Sequence, residues 1–176
     1  ERRGLPNHRN TVDALAAIRG NSAAAELFAR YGVLTPREFE ARNEIYLERY
    51  VKEIRTEALL GHRIASSMLL PAAHRHQSEL ATAVTYLKSA GVAKPHSEYL
   101  LRLTDHVREF ETRITALESA IAGAGETHDS LELARYYRDT VLPAMAEVRQ
   151  TADALEPIVA DDLWPLPTYS ELLFVR

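Results

Sequence analysis

The sequence predicts an all-α protein, and three observations carry that prediction. Apolar residues recur every three or four positions over long stretches, which is the period of a helix buried on one face. Glycine occurs only seven times in 176 residues, mostly between these periodic stretches. No stretch shows the β-branched alternation typical of a strand. We expect an antiparallel bundle of three long helices, preceded by two short N-terminal helices and followed by an extended C-terminal tail.

Residues 1–34 are expected to hold a lead-in and the two short helices. Asn10 or Thr11 can cap the first of them, and Gly20 then stops it. Asn21, followed by Ser22, can cap the second. Gly32 falls where the residue after that helix would take a positive φ, as glycine does most readily.

The first long helix is predicted from Pro36 to about Ala90, just before the stop at Gly91. Thr35 and Glu38 form a capping box around Pro36, which suits the first helical position. Pro71 should kink or break this helix near Leu70. One face carries a heptad seam with three- and four-residue steps. Its members are Leu47, Val51, Ile54, Ala58, Gly61, Ala65, Met68 and Ala72.

Two more long helices complete the predicted bundle at 35–160. The apolar seam of the second is Leu100, Leu103, Val107, Phe110, Ile114, Leu117 and Ile121. The seam of the third is Ala134, Tyr137, Val141, Met145, Val148, Ala152, Leu155 and Val159. Pro143 and Pro157 should kink this last helix and end it early. Short connections should place consecutive helices antiparallel.

Residues 161–176 are predicted to form an extended, apolar tail that docks on another surface. Trp164 precedes Pro165, and a residue before proline avoids the helical region. A second capping box from Thr168 to Glu171 could open one final helical turn over Leu172, Leu173 and Phe174. The whole chain, 1–176, is expected to be a single helical domain and a fragment of a larger protein, since it lacks an initiator Met.

The predicted helices differ in length, and this difference predicts an interaction surface. A helix of about 26 residues cannot cover one of about 55, so the first half of the Pro36–Ala90 helix should project. The residues concerned are Tyr46, Leu47, Tyr50, Val51 and Ile54. The two short helices, another subunit or the rest of a larger protein could cover them.

Composition and net charge limit the classes of partner expected for this chain. A net charge of −4 argues against nucleic acid and against an anionic membrane surface. The chain has no cysteine, which excludes disulfides, thiolate catalysis and cysteine-based zinc sites. No apolar run is long enough to span a membrane, and the start lacks the apolar core of a signal peptide. We therefore expect a cytoplasmic protein.

No catalytic, cofactor-binding or metal-ligating residue is predicted. His74 and His76 are two residues apart and cannot share a helix face. The acidic pairs on the first long helix lack the Glu-x-x-His partners of a di-metal bundle, and no phosphate-binding glycine loop occurs. Arg138, or alternatively Arg55, could pair with an anionic effector between helices. The interpretation favoured for Tyr137-Arg138-Asp139 is that Tyr137 lies in the core and that Arg138 and Asp139 lie at its charged rim.

Several motifs nevertheless occur together in a recognisable order. They include Arg3-Gly4-Leu5-Pro6-Asn7, Tyr31-Gly32-Val33-Leu34-Thr35, Ala41-Arg42-Asn43-Glu44-Ile45-Tyr46-Leu47-Glu48, Ala134-Arg135-Tyr136-Tyr137-Arg138-Asp139, Leu142-Pro143-Ala144-Met145 and Leu163-Trp164-Pro165-Leu166-Pro167-Thr168-Tyr169-Ser170-Glu171-Leu172-Leu173-Phe174. This set resembles the C-terminal region of type III glutamine synthetases, the long-chain bacterial class. The resemblance covers nearly the whole chain and is weakest between about Gly61 and Gly125.

The resemblance implies a parent enzyme of nitrogen metabolism that joins ammonia to glutamate, using ATP and Mg²⁺ or Mn²⁺. In that family the catalytic groups lie upstream, so no cofactor and no catalytic residue is carried over to this chain. The implied partners are the upstream catalytic domain and other subunits of a homo-oligomer, and the implied role is accessory: packing, assembly or regulation. The alternative is a free-standing helical module that dimerises and has no enzymatic role.

Overall fold

The computed structural model describes residues 3–4, 6–93, 96–125, 129–167 and 169–173. These residues form helices and contain no strand, which confirms the all-α class. The α-helices are α1 (Thr11–Ile18), α2 (Ser22–Arg30), α3 (Pro36–Ile64), α4 (Leu70–Ser89), α5 (Ser97–Ala122), α6 (Ser130–Tyr136), α7 (Leu142–Leu155) and α8 (Tyr169–Leu173). Two π-helical turns, Ala65–Leu69 and Tyr137–Val141, join α3 to α4 and α6 to α7.

The predicted caps of the first three helices are confirmed. The side chain of Asn10 accepts a hydrogen bond from the amide of Asp13 (2.8 Å), and Asn21 accepts one from Ala24 (3.0 Å). At α3 the capping box is reciprocal. The amide of Glu38 donates to the Thr35 hydroxyl (3.3 Å), and the amide of Thr35 donates to the Glu38 carboxylate (2.7 Å).

Pro71 does not break the first long helix. The chain stays helical from Pro36 to Ser89, with the π turn Ala65–Leu69 just before the proline. In a regular α-helix the proline ring would clash with the carbonyl four residues earlier, and a wider turn relieves that clash. The second π turn, Tyr137–Val141, stands in the same place relative to Pro143. Both turns are followed by the tripeptide Leu-Pro-Ala.

The π turn also corrects the predicted seam. Met68 was assigned to the buried face, yet 39% of it is exposed, whereas only 5% of Leu69 is. A π turn holds one extra residue, so the buried face moves one position along the sequence. Before this point the buried members Leu47 and Ala58 follow the prediction, and after it both the predicted Ala72 and Ala73, one position later, are fully buried.

The chain divides into two compact units. Unit 1 consists of Glu1–Glu57 and Ala122–Leu142, and unit 2 of Ala58–Ile121 and Pro143–Arg176. This division cuts across the predicted segments 1–34, 35–160 and 161–176. That the chain behaves as a single domain therefore stays a prediction.

Unit 1 has a small core and two long-range ion pairs. Its buried apolar residues are Val12, Leu15, Phe39, Leu47, Val51, Ala134, Tyr137 and Val141. Arg19, just after α1, bonds to Asp129 at 2.6 Å, and Arg138 bonds to Asp13 of α1 at the same distance. These two ion pairs link α1 to the segment that contains α6 and the second π turn.

Unit 2 has a larger core centred on α5. The buried face of α5 carries Leu103, Val107, Phe110, Ile114 and Leu117, as its seam predicted. Gln77 of α4 donates to the Thr104 hydroxyl of α5 (2.8 Å). At the start of α5, the Tyr99 hydroxyl donates to the backbone carbonyl of Ile158 (2.8 Å).

The C-terminal segment differs in part from its prediction. Helix α7 ends at Leu155, before Pro157, as expected. Residues 160–164 are not extended, because the amides of Leu163 and Trp164 both donate to the carbonyl of Ala160. Pro165 restricts only the residue directly before it, so the preceding residues are free to turn. Helix α8 is short; Thr168 and Phe174, both parts of that prediction, lie outside the described residues.

Candidate interaction surface on unit 1

An open apolar groove of about 370 Å³ lies on unit 1. Residues of α1, of α2, of the connection between α2 and α3, and of α3 line it. The apolar side chains involved include Ile18, Phe28, Val33, Leu34, Phe39 and Tyr46. A groove with apolar walls from four segments can take an apolar group from another molecule or segment.

Local structure explains how this groove forms. The ring centroids of Phe28 and Phe39 lie 5.6 Å apart, so α2 and α3 meet at this aromatic pair. Gly32 adopts a φ of +63°, which lets the chain reverse after α2. The amide of Val33 then donates to the carbonyl of Phe28 (2.9 Å), and this turn holds Val33 at the edge of the groove.

Apolar exposure continues beyond the groove. Val33 and Tyr46 are well exposed at its rim, and Leu27 and Tyr31 are exposed on or beside α2. Single exposed apolar residues need no explanation, but contiguous apolar patches on soluble proteins commonly mark interaction sites. The geometry therefore makes this face of unit 1 the candidate functional site.

A buried polar group with an unused acceptor borders the groove. Only 5% of Asn43 is exposed, and its side-chain amide donates to the backbone carbonyl of Leu15 (3.0 Å). The Asn43 Oδ1 atom has no hydrogen-bond partner among the described residues. Burying such an oxygen without a donor is unfavourable, so Asn43 keeps an unmet hydrogen-bonding requirement beside the groove.

The five residues of the predicted interaction surface are distributed differently from the expectation. Leu47 and Val51 are buried by other residues of the chain itself. They therefore cannot belong to an exposed surface. Tyr50 and Ile54 are half-buried. Of the five, Tyr46 lines the groove.

Asn43, Phe28 and Val33 belong to this surface but were not predicted from the sequence. Asn43 lies four residues before Leu47, and Phe39 lies four before Asn43. Extending the buried seam backwards in four-residue steps would have placed the asparagine on the buried face. A polar residue at such a position is the signal that was available.

Arg138 is occupied by carboxylates of its own unit. Its Nε and Nη2 atoms bond to both oxygens of Asp139 (2.6 and 2.7 Å), and Nη1 bonds to Asp13 (2.6 Å). The hydrogen bond from Arg138 lowers the pKa of Asp139 below its ordinary value. An anionic effector would have to compete with both carboxylates, so the contacts favour a structural role for Arg138.

The divalent cation implied by the resemblance finds no fitting site among the described residues. No three histidine, aspartate or glutamate side chains are grouped there to hold a metal ion. The Nε2 atom of His74 instead contacts the carboxylate of Glu111 at 3.0 Å. Among the described helices, none combines the length and apolar character needed to span a membrane.

The fold and the groove define an all-α module with an exposed apolar groove. Comparison with known proteins gives its family. Residues 1–88 match the family described as the glutamine synthetase C-terminal domain. The chain belongs to this family.

Individual relatives agree with this assignment. The chain is 35% identical to a type-3 glutamine synthetase of Dictyostelium discoideum, over 99% of this chain and 24% of that protein. It is 26% identical to a glutamine synthetase of Bacteroides fragilis and 29% identical to one of Butyrivibrio fibrisolvens. In both cases the match covers 25% of the relative. The chain thus spans about a quarter of the length of the curated relatives it matches.

Proposed function

We propose that this chain is an accessory domain of a type III glutamine synthetase and is not catalytic alone. The observation that carries the proposal is the family itself, together with the share of each relative that the chain matches. A C-terminal domain equal to about a quarter of a synthetase leaves most of the polypeptide for binding substrates and for chemistry. The parent enzyme would join ammonia to glutamate with ATP and a divalent cation.

The proposed role is assembly within a cytoplasmic homo-oligomer, as the resemblance implies. The apolar face of unit 1 supports this role, because an exposed apolar groove is suited to packing against another part of a large protein. The partners would be the catalytic region of the same polypeptide and neighbouring subunits. A bacterial origin remains a proposal as well.

We also propose that the long helices of unit 2 run antiparallel. Contacts between α4 and α5 support this, since Gln77 meets Thr104 and His74 meets Glu111. From one contact to the other the residue number rises in α4 and falls in α5, as it does between antiparallel helices. Contacts from α5 towards the C-terminal part follow the same rule, with Arg113 bonded to Glu147 (2.6 Å) and Tyr99 to Ile158. Rigid antiparallel helices would suit a domain whose role is packing.

Glutamine formation tests the proposed function. The 176-residue chain and the full gene product are each supplied with glutamate, ammonia, ATP and Mg²⁺. The full protein should form glutamine and the 176-residue chain should not. Glutamine formed by the chain alone, or none formed by an intact full-length protein, would contradict the proposal. A known glutamine synthetase serves as the positive control in the same buffer.

A free-standing dimerisation module is the second candidate, and the exposed apolar residues around Tyr46 are the observation that favours it. It predicts a dimer of the 176-residue chain and a coding sequence that starts directly before Glu1. Sedimentation equilibrium measures the mass in solution. A monomer at high concentration, together with a long upstream coding sequence, would rule this candidate out.

A further inference from the structure

We infer that the groove on unit 1 is the docking site for a segment of the upstream catalytic region of the same polypeptide. The inference rests on the proposed function and adds a particular site and a particular occupant to it. The occupant inserts an apolar side chain between Phe28 and Tyr46 and presents a hydrogen-bond donor to Asn43.

The size of the groove fits part of a folded polypeptide segment. Its volume of about 370 Å³ is enough for one or two large side chains. Leu27 on α2 and Tyr31 directly after that helix are also exposed on unit 1. A small ligand in the groove would leave them in water, whereas a protein segment that also packs on α2 would cover them.

Asn43 adds a polar requirement to this apolar site. Its side chain is fixed, because its amide already donates to Leu15 and its surroundings are buried. The Oδ1 atom can only accept a hydrogen bond, and because it is itself buried, a donor from the occupant reaches it only if the groove opens further on docking. A tryptophan or tyrosine anchor meets both demands, since each has a large apolar ring and a donor that needs a partner when buried.

The length of the relatives favours the same polypeptide over a second copy of this chain. In each relative about three quarters of the protein lies outside the matched region. In such a synthetase the preceding polypeptide joins this chain ahead of α1, and α1 lines the groove with Leu15 and Ile18. A segment of the same polypeptide stays at an effective concentration in about the millimolar range before any subunits assemble, whereas a second copy reaches the groove only after assembly.

The chain offers a closely matched pair of positions for testing this. Val33 and Val92 each follow a positive-φ glycine at the end of a helix. Each amide donates five residues back, from Val33 to Phe28 (2.9 Å) and from Val92 to Leu87 (3.0 Å). Their exposed fractions are 60% and 43%. Val33 lies at the groove, whereas Val92 belongs to unit 2.

The experiment places a photo-reactive residue, p-benzoylphenylalanine, at position 33 or at position 92 of the full-length protein. After irradiation, mass spectrometry identifies the joined peptides, and a mixture of ¹⁴N- and ¹⁵N-labelled protein separates adducts within one copy from adducts between copies. Position 33 should join a peptide that precedes this chain, within one copy. Position 92 should give several-fold less of that adduct.

A second pair of variants tests whether the groove itself is responsible. With the photo-reactive residue at position 33, Ile18→Asp puts a charge at the rim and should lower the adduct yield by about tenfold or more, as expected for losing one buried aliphatic contact. Leu101→Asp, at an exposed position of unit 2, should leave the yield unchanged. Far-ultraviolet circular dichroism confirms that each variant keeps its helix content.

The outcomes separate this inference from the proposed function. Adducts only with residues of this chain in a second copy, only between copies, or at equal yield from positions 33 and 92 would each overturn the inference. If the same preparation forms glutamine, the proposed function stands and only the docking site is wrong. If no region precedes this chain and no glutamine forms, both fail.

Discussion

Unit 1 and unit 2 are both helical, but they bury their apolar residues to different extents. The largest fully buried side chains of unit 2 are one phenylalanine and three leucines: Phe110, Leu103, Leu117 and Leu155. In unit 1 they are one leucine and two valines: Leu47, Val12 and Val141. Unit 1 also keeps Ile18, Phe28, Val33 and Tyr46 exposed around one groove.

The difference shows how one chain can combine stability with docking. Free energy from apolar burial grows with the area removed from water, so the larger side chains of unit 2 stabilise their unit more. Unit 1 gathers exposed apolar side chains at one groove, and both units carry ion pairs between segments, such as Arg138 with Asp13 and Arg113 with Glu147. Such pairs contribute less than a packed core. We therefore expect unit 2 to carry most of the stability of the isolated chain.

The largest expected effect comes from the core of unit 2. Phe110→Ala removes a fully buried ring at the middle of the α5 seam. It should lower the free energy of unfolding by about 3–5 kcal/mol, measured by urea titration of the 176-residue chain. Leu101→Ala, on the exposed side of the same helix, should change it by less than about 0.5 kcal/mol. A loss below about 1 kcal/mol for Phe110→Ala would contradict the assigned core.

The second prediction concerns the core of unit 1. Leu47→Ala should lower the free energy of unfolding by about 2–3 kcal/mol. This loss is at the low end for a buried leucine, because the open groove nearby lets the surrounding side chains relax. Hydrogen exchange should accelerate in residues 11–57 more than in residues 97–121. The control is Leu59→Ala, at an exposed position of the same helix. Equal acceleration in both ranges would show one cooperative domain, as the sequence predicted, and would remove the contrast between the units.

Much of the fold could be predicted because helix signals are local. The capping box at Thr35, the glycine after α2 and the α5 seam each depend on residues within a few positions of one another. The π turn at Ala65–Leu69 was missed because it adds one residue to a turn without a sequence signal as strong as a cap. Met68 was consequently assigned to the wrong face. Pro71 indicated where the helix is irregular, but not that the irregularity is a π turn.

The interaction surface was harder to predict because it depends on which helices cover which face. The sequence identified the first half of α3 as needing a partner, and the structure partly supplies one within the chain itself, where Leu47 and Val51 are buried. Tyr46 lies one residue from Leu47, and about 100° around the helix, and so faces the groove instead. Val33 and Phe28 reach the groove only through the turn at Gly32, which periodicity does not describe.

The third prediction concerns the start of α3 in unit 1. Thr35→Ala removes the hydroxyl that accepts a hydrogen bond from the Glu38 amide. It should lower the free energy of unfolding by about 1 kcal/mol. Thr56→Ala serves as the control, because that hydroxyl bonds only to the Lys52 carbonyl within the same helix. Thermal unfolding of both variants measures the difference. Equal changes in Tm for the two variants would mean that the cap stabilises unit 1 no more than the Thr56 hydroxyl does.

The fourth prediction measures the ion pair between α1 and the second π turn. A double-mutant cycle of Arg138→Gln and Asp13→Asn should give a coupling energy of about 0.5–1 kcal/mol, typical of a pair that water still reaches. In unit 2 the matching cycle uses Arg113→Gln and Glu147→Gln. Similar coupling in both cycles would show that the units differ in their cores and not in their ion pairs. A value near zero for Arg138 and Asp13 would end the structural interpretation of Arg138.

The smallest effect should be the acid sensitivity of unit 1. The hydrogen bond from Arg19 lowers the pKa of Asp129 below its ordinary 3.8, and Arg138 does the same for Asp139. A carboxylate whose pKa is lower in the folded state contributes stability that is fully present above the unfolded pKa and is lost as the pH falls below 3.8. The urea midpoint of unit 1 should therefore decrease between about pH 5 and about pH 3. Hydrogen exchange of the α1 amides at increasing urea concentration measures this midpoint. The variants Asp129→Asn and Asp139→Asn, combined, should make that decrease shallower. An unchanged slope would mean that these carboxylates are equally stabilised in the unfolded chain, and that unit 1 depends on its small core alone.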